Sequence, residues 1–181
     1  MNNIVSLIIG ADVVPTKSNK DLFEKAEISS LLDNKLKEIW QASDFRIFNL
    51  EVPLTDKETP IEKCGSNLIA STSTVTGIKA LNPNLILLAN NHIMDQGVEG
   101  LTSTLNTLRK NDIEYIGVGV NLKHILHSFV FEKNNIKIAI YNCSETEFSL
   151  ATNDTPGANL FDPFESLGHI SELKKNNDYV I

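Results

Sequence analysis

The chain has 181 residues, of which 41% are hydrophobic and 22% charged, and its formal net charge is −7. This length and balance are typical of one globular domain with a sizeable core, and they exclude a wholly disordered chain. The acidic charge disfavours nucleic acid and anionic membrane surfaces as partners, because both repel a negative protein. No stretch approaches the roughly 20 apolar residues of a membrane span, and the amino terminus lacks the basic region and the length of a signal peptide, so we expect a cytoplasmic protein.

The first half of the chain predicts two strands and one long helix. Residues 4–9 are continuously apolar, which is typical of a strand buried on both faces, and residues 13–22 read as a loop. Apolar residues from 28 to 40 recur at helical spacing and predict an amphipathic helix. Residues 45–50 predict a second strand. Residues 55–70 are polar and show no strong periodicity.

The second half predicts further alternation of strands and helices, with one hairpin. The predicted elements are a short helix (74–81), a strand (85–89), a helix (98–110), a strand (113–118), a hairpin (129–132 and 136–141, turning at Asn134-Asn135), a helix (167–175) and a strand beginning at 179. Strands that alternate with helices indicate an α/β fold, and the hairpin indicates that the sheet is mixed.

Polar side chains follow three of these strands at their carboxyl ends. Asp12 follows the first strand, Asn49 and Glu51 end the second, and Asn90-Asn91-His92 follows the third. Strand carboxyl ends line the crevice of an open α/β sheet, and carboxylate, amide and imidazole groups bind magnesium, manganese or zinc. Such a metal could clamp a phosphate or activate a water molecule. Taken singly, Asp12 could instead cap a turn, the asparagines could be turn residues, and His92 could be structural.

Other candidates are weaker. Gly117-Val118-Gly119 lacks the third glycine of a dinucleotide fingerprint and predicts a tight turn after a strand. His124 and His127 read as surface residues. In the segment Cys143-Ser144-Glu145, the glutamate could reach the same sheet edge, and the cysteine could act as a nucleophile only with His92 as its base.

Three motifs together resemble the CapA-like family of bacterial capsule-synthesis proteins. They are Gly10-Ala11-Asp12, the sequence NLEVPL at 49–54 and the sequence LANNHIMDQG at 88–97. The turn at 117–122 and the strand at 136–141 look like the family's next elements, so the resemblance covers nearly the whole chain. It implies a calcineurin-like metallophosphoesterase fold of the α/β class, a sandwich of mixed β-sheets flanked by helices.

The resemblance also implies roles for individual residues. Asp12, Glu51 and Asn91 would hold a divalent metal, which would be manganese, magnesium or zinc. His92 would contact the scissile group as an acid or an electrostatic stabiliser. Asp95 would hydrogen-bond His92 and fix its tautomer, as carboxylates behind a working histidine often do.

Two features depart from the family pattern. The first motif reads Gly-Ala-Asp where the family has Gly-Asp, which displaces the acid by one residue. The family's later histidine motifs, of the HxGxE and HxH kinds, would follow the strand that begins at 179. We therefore expect one domain over residues 1–181, truncated before those motifs, which binds metal weakly or not at all and is inactive alone. Its exposed last strand predicts a homodimer through strand pairing.

Two functions remain open. The first is a metal-dependent hydrolase or transferase-like domain in capsule biosynthesis, acting on an anionic polymer such as poly-γ-glutamate or on a small phosphate-containing substrate. The second is a non-catalytic binding or assembly module that retains the fold. A plain nucleotide-binding module is disfavoured, because the sequence lacks a Walker A motif and a complete GxGxxG motif.

Overall fold

The structure is a computed structural model that describes residues 4–145 and 149–181. In chain order, its strands and helices are β1 (Leu7–Val13), α1 (Lys20–Glu24), α2 (Ile28–Leu31), α3 (Asn34–Ala42), β2 (Phe45–Leu50), α4 (Val75–Ala80), β3 (Leu85–Leu87), α5 (Gly97–Lys110), β4 (Tyr115–Ile116), β5 (Val118–Gly119), β6 (Ser128–Lys133), β7 (Ile136–Tyr141), β8 (Gly157–Ala158), α6 (Glu165–Lys174) and β9 (Tyr179–Val180). Short 3₁₀ turns lie at Thr72–Thr74 and Leu122–His124.

Two larger sheets pack against each other. The first is parallel, in the order β1-β2-β3-β4, and the second has the order β6-β7-β9, with β6 antiparallel and β9 parallel to β7. Strands β5 and β8 form a small antiparallel pair. The buried side chains between the larger sheets are Ile47, Leu85, Ile116, Phe131, Ile138 and Ile140. This arrangement confirms the predicted α/β sandwich with mixed sheets.

Helices cover the opposite face of the parallel sheet. Because successive side chains of a strand point to opposite faces, Ile47 faces the second sheet while Phe48 joins a core with helical residues. The helical members of that core include Phe23, Trp40, Ile78, Leu101, Leu105 and Leu108. The buried residues of β2, Ile47, Phe48 and Leu50, therefore contribute to cores on both faces of the sheet. Within the described residues, no helix is both long and apolar enough to cross a membrane.

The first strand differs from its prediction. It runs from Leu7 to Val13 rather than over residues 4–9, and Gly10 to Asp12 lies inside it, at a shift of the pairing register with β2. The expectation that this strand is buried on both faces is wrong, because β1 lies at the edge of its sheet and 48% of Ile9 is exposed. Asp12 therefore lies within β1, near the carboxyl end of the strand, and not in a loop beyond it.

Two other predicted elements are interrupted. The helix predicted over 28–40 is two helices, because Leu32 is extended and the Asp33 side chain accepts a hydrogen bond from the Leu36 nitrogen at 2.9 Å, which starts α3. The strand predicted over 113–118 divides at Gly117, whose φ is +97°. Helix α1 also begins inside the predicted loop. The hairpin is confirmed, and both turn asparagines have positive φ, as a two-residue type I′ turn requires.

Candidate functional site

A polar cleft lies where β1, β2 and β3 end. These strands are parallel neighbours, so their carboxyl ends meet at one edge of the sheet. The Asn49 amide donates a hydrogen bond to Oδ1 of Asp12 at 2.7 Å. The Asn90 amide donates to Oδ1 of Asn49 at 3.1 Å and to the Leu50 carbonyl at 3.0 Å. These bonds join the three strand ends in one connected network.

Glu51 lies beside Asp12 at this edge. Burial raises the pKa of the Glu51 carboxyl, and a hydrogen bond shared with Asp12 and the negative charge of Asp12 raise it further. The nearby His92 acts in the opposite direction and lowers this pKa, while Asp95 raises it. Two carboxyl groups that disfavour each other's charge create a place where a cation is attracted.

The oxygen atoms at this edge of the sheet are suitable ligands for a hard divalent cation. The carboxylates of Asp12 and Glu51 and the adjacent amide oxygens are ligands of the kind that magnesium and manganese take. Across residues 4–145 and 149–181, no three His, Cys, Asp or Glu side chains are grouped so that they could hold one metal ion. A metal held by these residues would therefore keep water molecules or take further ligands from outside the described part of the chain.

Asn91 borders an adjoining cleft with a volume of about 340 Å³. Its lining residues are Asn90, Asn91, Cys143, Ser144 and Glu145. The structure thus brings Glu145 to the same edge as the asparagines. Burial raises the pKa of the Cys143 thiol, which disfavours the thiolate that a nucleophilic cysteine needs. The cleft is lined by polar groups, which suits a polar ligand.

His92 and Asp95 are in direct contact. Nδ1 of His92 lies 2.7 Å from Oδ2 of Asp95, and the Asp95 side chain is fully buried, while 20% of the His92 side chain is exposed. The His92 backbone nitrogen also donates to Oδ1 of Asn90 at 3.0 Å. His92 is therefore joined to the polar network through its backbone nitrogen and to a buried carboxylate through its ring.

Lys63 is a member of the site that the sequence did not reveal. Its ammonium group donates to Oδ1 of Asp95 and lies 3.4 Å from Nδ1 of His92, and only 2% of its side chain is exposed. The Leu68 nitrogen donates to Oδ2 of the same carboxylate at 2.6 Å. Residues 55–70 have no periodic pattern, so no sequence signal marked Lys63.

The loop that carries Lys63 is fastened to the turn before α5. The Thr59 nitrogen donates to Oε1 of Gln96 at 2.7 Å, and the Thr59 hydroxyl donates to the Gln96 carbonyl at 2.8 Å. The Gln96 amide in turn donates to the Leu68 carbonyl at 3.0 Å. The Ile61 nitrogen donates to the Asp95 carbonyl at 3.0 Å. This set of bonds places Lys63 against Asp95.

The remaining histidines lie elsewhere in the fold. His127 is half-buried, and its ring centroid lies 4.5 Å from that of His169 on α6 and 6.4 Å from that of Tyr141. Burial lowers the pKa of His127, and the nearby His169 lowers it further. The interpretation of His127 as a surface residue is therefore wrong. His124 is exposed, as predicted, and its ring contacts Oδ1 of Asn121 at 2.7 Å.

Known proteins resemble this chain over most of its length. Residues 6–181 match the family described as Bacterial capsule synthesis protein PGA_cap. The chain is 30% identical over 154 residues to the PGA biosynthesis protein CapA of Bacillus subtilis (strain 168), covering 79% of this chain and 39% of that protein. It is 30% identical over 138 residues to the capsule biosynthesis protein CapA of Bacillus anthracis, covering 73% of this chain and 33% of that protein. The chain thus spans about two fifths or less of the length of these relatives.

Solved structures share the fold. A phosphatase from Mycoplasma pneumoniae is 25% identical, with a TM-score of 0.51, and the match covers 98% of this chain and 53% of that one. The NAD nucleotidase of Haemophilus influenzae is 13% identical, with a TM-score of 0.56, over 97% of this chain and 33% of that one. These likenesses identify the fold as that of the metallophosphoesterases.

Proposed function

The chain belongs to the bacterial capsule synthesis protein family, and from this premise we propose that its polar cleft is part of a metal-dependent hydrolase site. The observation that carries the proposal is the pairing of the Asp12 and Glu51 carboxyl groups, with Glu51 within electrostatic range of His92. A carboxylate pair beside an oriented imidazole supplies both a cation site and a proton donor or acceptor.

Each residue has a distinct task in this proposal. Asp12, Glu51 and Asn91 would hold the divalent metal, and such a metal would polarise a phosphoryl or carbonyl oxygen. Asp95 is hydrogen-bonded to Nδ1 of His92. The other ring nitrogen, Nε2, is therefore the atom that reaches the reacting group. Its lone pair accepts a proton as a base, and once the ring is doubly protonated Nε2 donates a hydrogen bond or a proton to the oxygen on which charge develops.

The substrate we propose is an anionic capsule polymer or a small phosphate-containing compound. The curated relatives carry names that refer to PGA and capsule biosynthesis, and a solved relative is named a phosphatase. Because this chain itself carries a net charge of −7, it would need a local cation to hold an anionic substrate. A metal between Asp12 and Glu51 would supply that charge.

A binding or assembly module is the second candidate function. It is favoured by the fact that the described residues hold no group of three or more metal-ligating His, Cys, Asp or Glu side chains. In this case the cleft would recognise a partner or a polymer segment through the amides of Asn90 and Asn91, without turnover.

Self-association is a further part of the proposal. Strand β9 pairs with β7 along one edge, and in the described part of the chain no strand pairs with its other edge. Tyr179 is 60% exposed and Ile181 is 52% exposed. A second copy could add its own strand there, and light scattering that gives a monomer mass at high concentration would contradict this.

Metal binding and hydrolysis test the proposed activity together. Calorimetric titration with manganese and hydrolysis of bis-p-nitrophenyl phosphate would be measured on this chain and on any longer product of its gene. In the longer product we expect metal-dependent turnover that is lost in His92→Ala and metal binding that is weakened in Asp12→Asn, whereas this chain alone is expected to bind metal weakly and to be inactive. Glu58→Gln, a change at an exposed residue of the following loop, is the matched control. Turnover that survives His92→Ala would contradict the catalytic assignment, and a protein that retains no metal in any form would favour the assembly module.

A further inference from the structure

The contacts of Asp95 give Lys63 a role that the proposed chemistry does not yet include. We propose that Lys63 is a positioning residue, whose ammonium group keeps Asp95 charged and thereby keeps the ring proton of His92 on Nδ1. The atom left for the cleft is then Nε2 with its lone pair. This inference rests on the proposed function of His92, although its test needs neither metal nor substrate.

The first step is the burial of the ion pair. The Asp95 side chain has no exposed surface and that of Lys63 has 2%, and the two are directly hydrogen-bonded. A buried carboxylate that lacks a counter-charge is strongly unfavourable and gains a proton instead. The ammonium group is therefore what allows Asp95 to remain an anion in this position.

The second step is the direction of the hydrogen bond to His92. A charged carboxylate can only accept hydrogen bonds, and an ammonium group can only donate them. Oδ2 of Asp95 lies 2.7 Å from Nδ1 of His92, while Nζ of Lys63 lies 3.4 Å from the same atom. A lone pair on Nδ1 would face a lone pair of Oδ2 at the shorter distance, which is repulsive. Nδ1 must therefore carry the proton and donate it.

The third step is the state that follows when Lys63 is removed. Asp95 would then be buried without a counter-charge and would take up a proton. A carboxylic acid donates a hydrogen bond, so the direction of the bond would reverse and Nδ1 would become the acceptor. The ring proton would move to Nε2, and the cleft would face an N–H group in place of a lone pair.

The chain offers a matched control in the same loop. Lys57 also forms an ion pair, with Glu99 on α5, but 70% of the Lys57 side chain and 59% of the Glu99 side chain are exposed. Exposed pairs of this kind contribute little to stability. Substitution of Lys57 therefore changes the charge of the loop without touching the network around His92.

The experiment measures the tautomer directly. The metal-free chain, labelled with ¹⁵N at its four histidines, is examined by two-bond proton–nitrogen correlation at about pH 8, above the ordinary imidazole pKa of about 6.5. The His92 signals are assigned from their loss in His92→Gln. We expect Nδ1–H at His92 in the wild type and in Lys57→Met, and Nε2–H in Lys63→Met.

Either of two results overturns the proposal: Nε2–H at His92 in the wild type, or Nδ1–H retained in a folded Lys63→Met variant. If Lys63→Met does not fold, the wild-type spectrum and Lys63→Arg decide, because a retained positive charge must retain Nδ1–H. Absence of manganese binding or turnover would contradict the proposed function and leave this readout unchanged, so the two failures are distinguishable.

Discussion

Nδ1 of His92 lies 2.7 Å from Oδ2 of Asp95, a carboxylate that has no exposed surface. The same carboxylate accepts hydrogen bonds from Lys63 and from the Leu68 nitrogen, both of which come from the loop that precedes the 3₁₀ turn Thr72–Thr74. One buried side chain therefore connects the strand-end cleft to a loop some 30 residues earlier in the chain. The stability of the site and its chemistry should depend on the same group.

Asp95→Ala is predicted to lower the free energy of unfolding by about 3–5 kcal/mol, because it removes one partner of a buried ion pair. Urea denaturation at neutral pH would measure this change. The control is Glu99→Ala, which removes the exposed partner of Lys57 and should cost no more than about 1 kcal/mol. Equal losses in the two variants would show that burial of the Lys63–Asp95 pair is not what stabilises this region.

Glu51→Gln is predicted to stabilise the metal-free chain at neutral pH. The pKa of Glu51 is raised in the fold by burial and by Asp12, so the folded state binds this proton more tightly than the unfolded state. Stability is therefore lost as the pH rises through the folded pKa. Because the Glu51 side chain is partly exposed, Glu51→Gln should raise the free energy of unfolding by no more than about 1 kcal/mol.

Chemical denaturation with a chelator present, from about pH 4 to neutral pH, would test this prediction, since an ordinary glutamate titrates at about 4.3. The stability gap between the variant and the wild type should widen as the pH rises. Glu58→Gln, at an exposed position, should show no such gap. A Glu51→Gln variant that is less stable than the wild type at neutral pH would contradict the assigned repulsion.

The sequence predicted well the elements that local pattern determines. Strand Phe45–Leu50 has the predicted bounds, and its apolar residues Ile47, Phe48 and Leu50 are buried. The hairpin turn at Asn134-Asn135 was also predicted, since asparagine tolerates the positive φ of such turns. Parallel strand order then brings Asp12 towards Asn49, as the rule for strand carboxyl ends predicts.

The sequence-based predictions were wrong or missing where a single tertiary or capping contact outweighs the hydrophobic pattern. Helical spacing continues through residues 28–40, but the Asp33 side chain caps a new helix and separates α2 from α3. Lys63 had no signal at all, because its partners, His92 and Asp95, are 29 and 32 residues away and its loop has no repeat. A buried charge in a polar loop is a tertiary property, which local sequence does not record.

Gly117→Ala is predicted to lower the free energy of unfolding by about 2–4 kcal/mol, through backbone strain and steric conflict. Gly117 has a φ of +97°, and a Cβ there would lie 2.6 Å from the Ala89 nitrogen and closer still to Oδ1 of Asn142. It would thus break the 2.9 Å hydrogen bond from the Ala89 nitrogen to Asn142, next to the cleft.

Gly168→Ala on α6 is the control for this glycine, since a Cβ at Gly168 meets no atom within 4 Å. Alanine there should raise stability by about 0.5–1 kcal/mol, because glycine is unfavourable inside a helix. Thermal or urea unfolding measures both variants. If Gly168→Ala lowered the stability as much as Gly117→Ala, the added methyl group would be destabilising for a reason other than local geometry.

Asp44 is predicted to make the chain sensitive to acid. A hydrogen bond from Lys133 and further bonds from the backbone nitrogen and hydroxyl of Ser6 lower the pKa of Asp44 to about 2. The ordinary value for an aspartate is about 3.9, so the unfolded chain binds this proton more tightly than the folded one. The stabilisation is therefore complete above about pH 4 and is lost as the pH falls towards about 2.

Asp44→Asn should remove this part of the acid dependence, because an amide does not titrate in that range. The midpoint of thermal unfolding would be followed for both proteins from about pH 5 down to about pH 2, the interval that spans the two pKa values. The wild type should lose more thermal stability than the variant across the interval, so the two curves should converge at the acid end. Parallel curves would mean that Lys133 and Ser6 do not hold Asp44 in solution, and that the end of β6 is not tied to the start of β1 through this carboxylate.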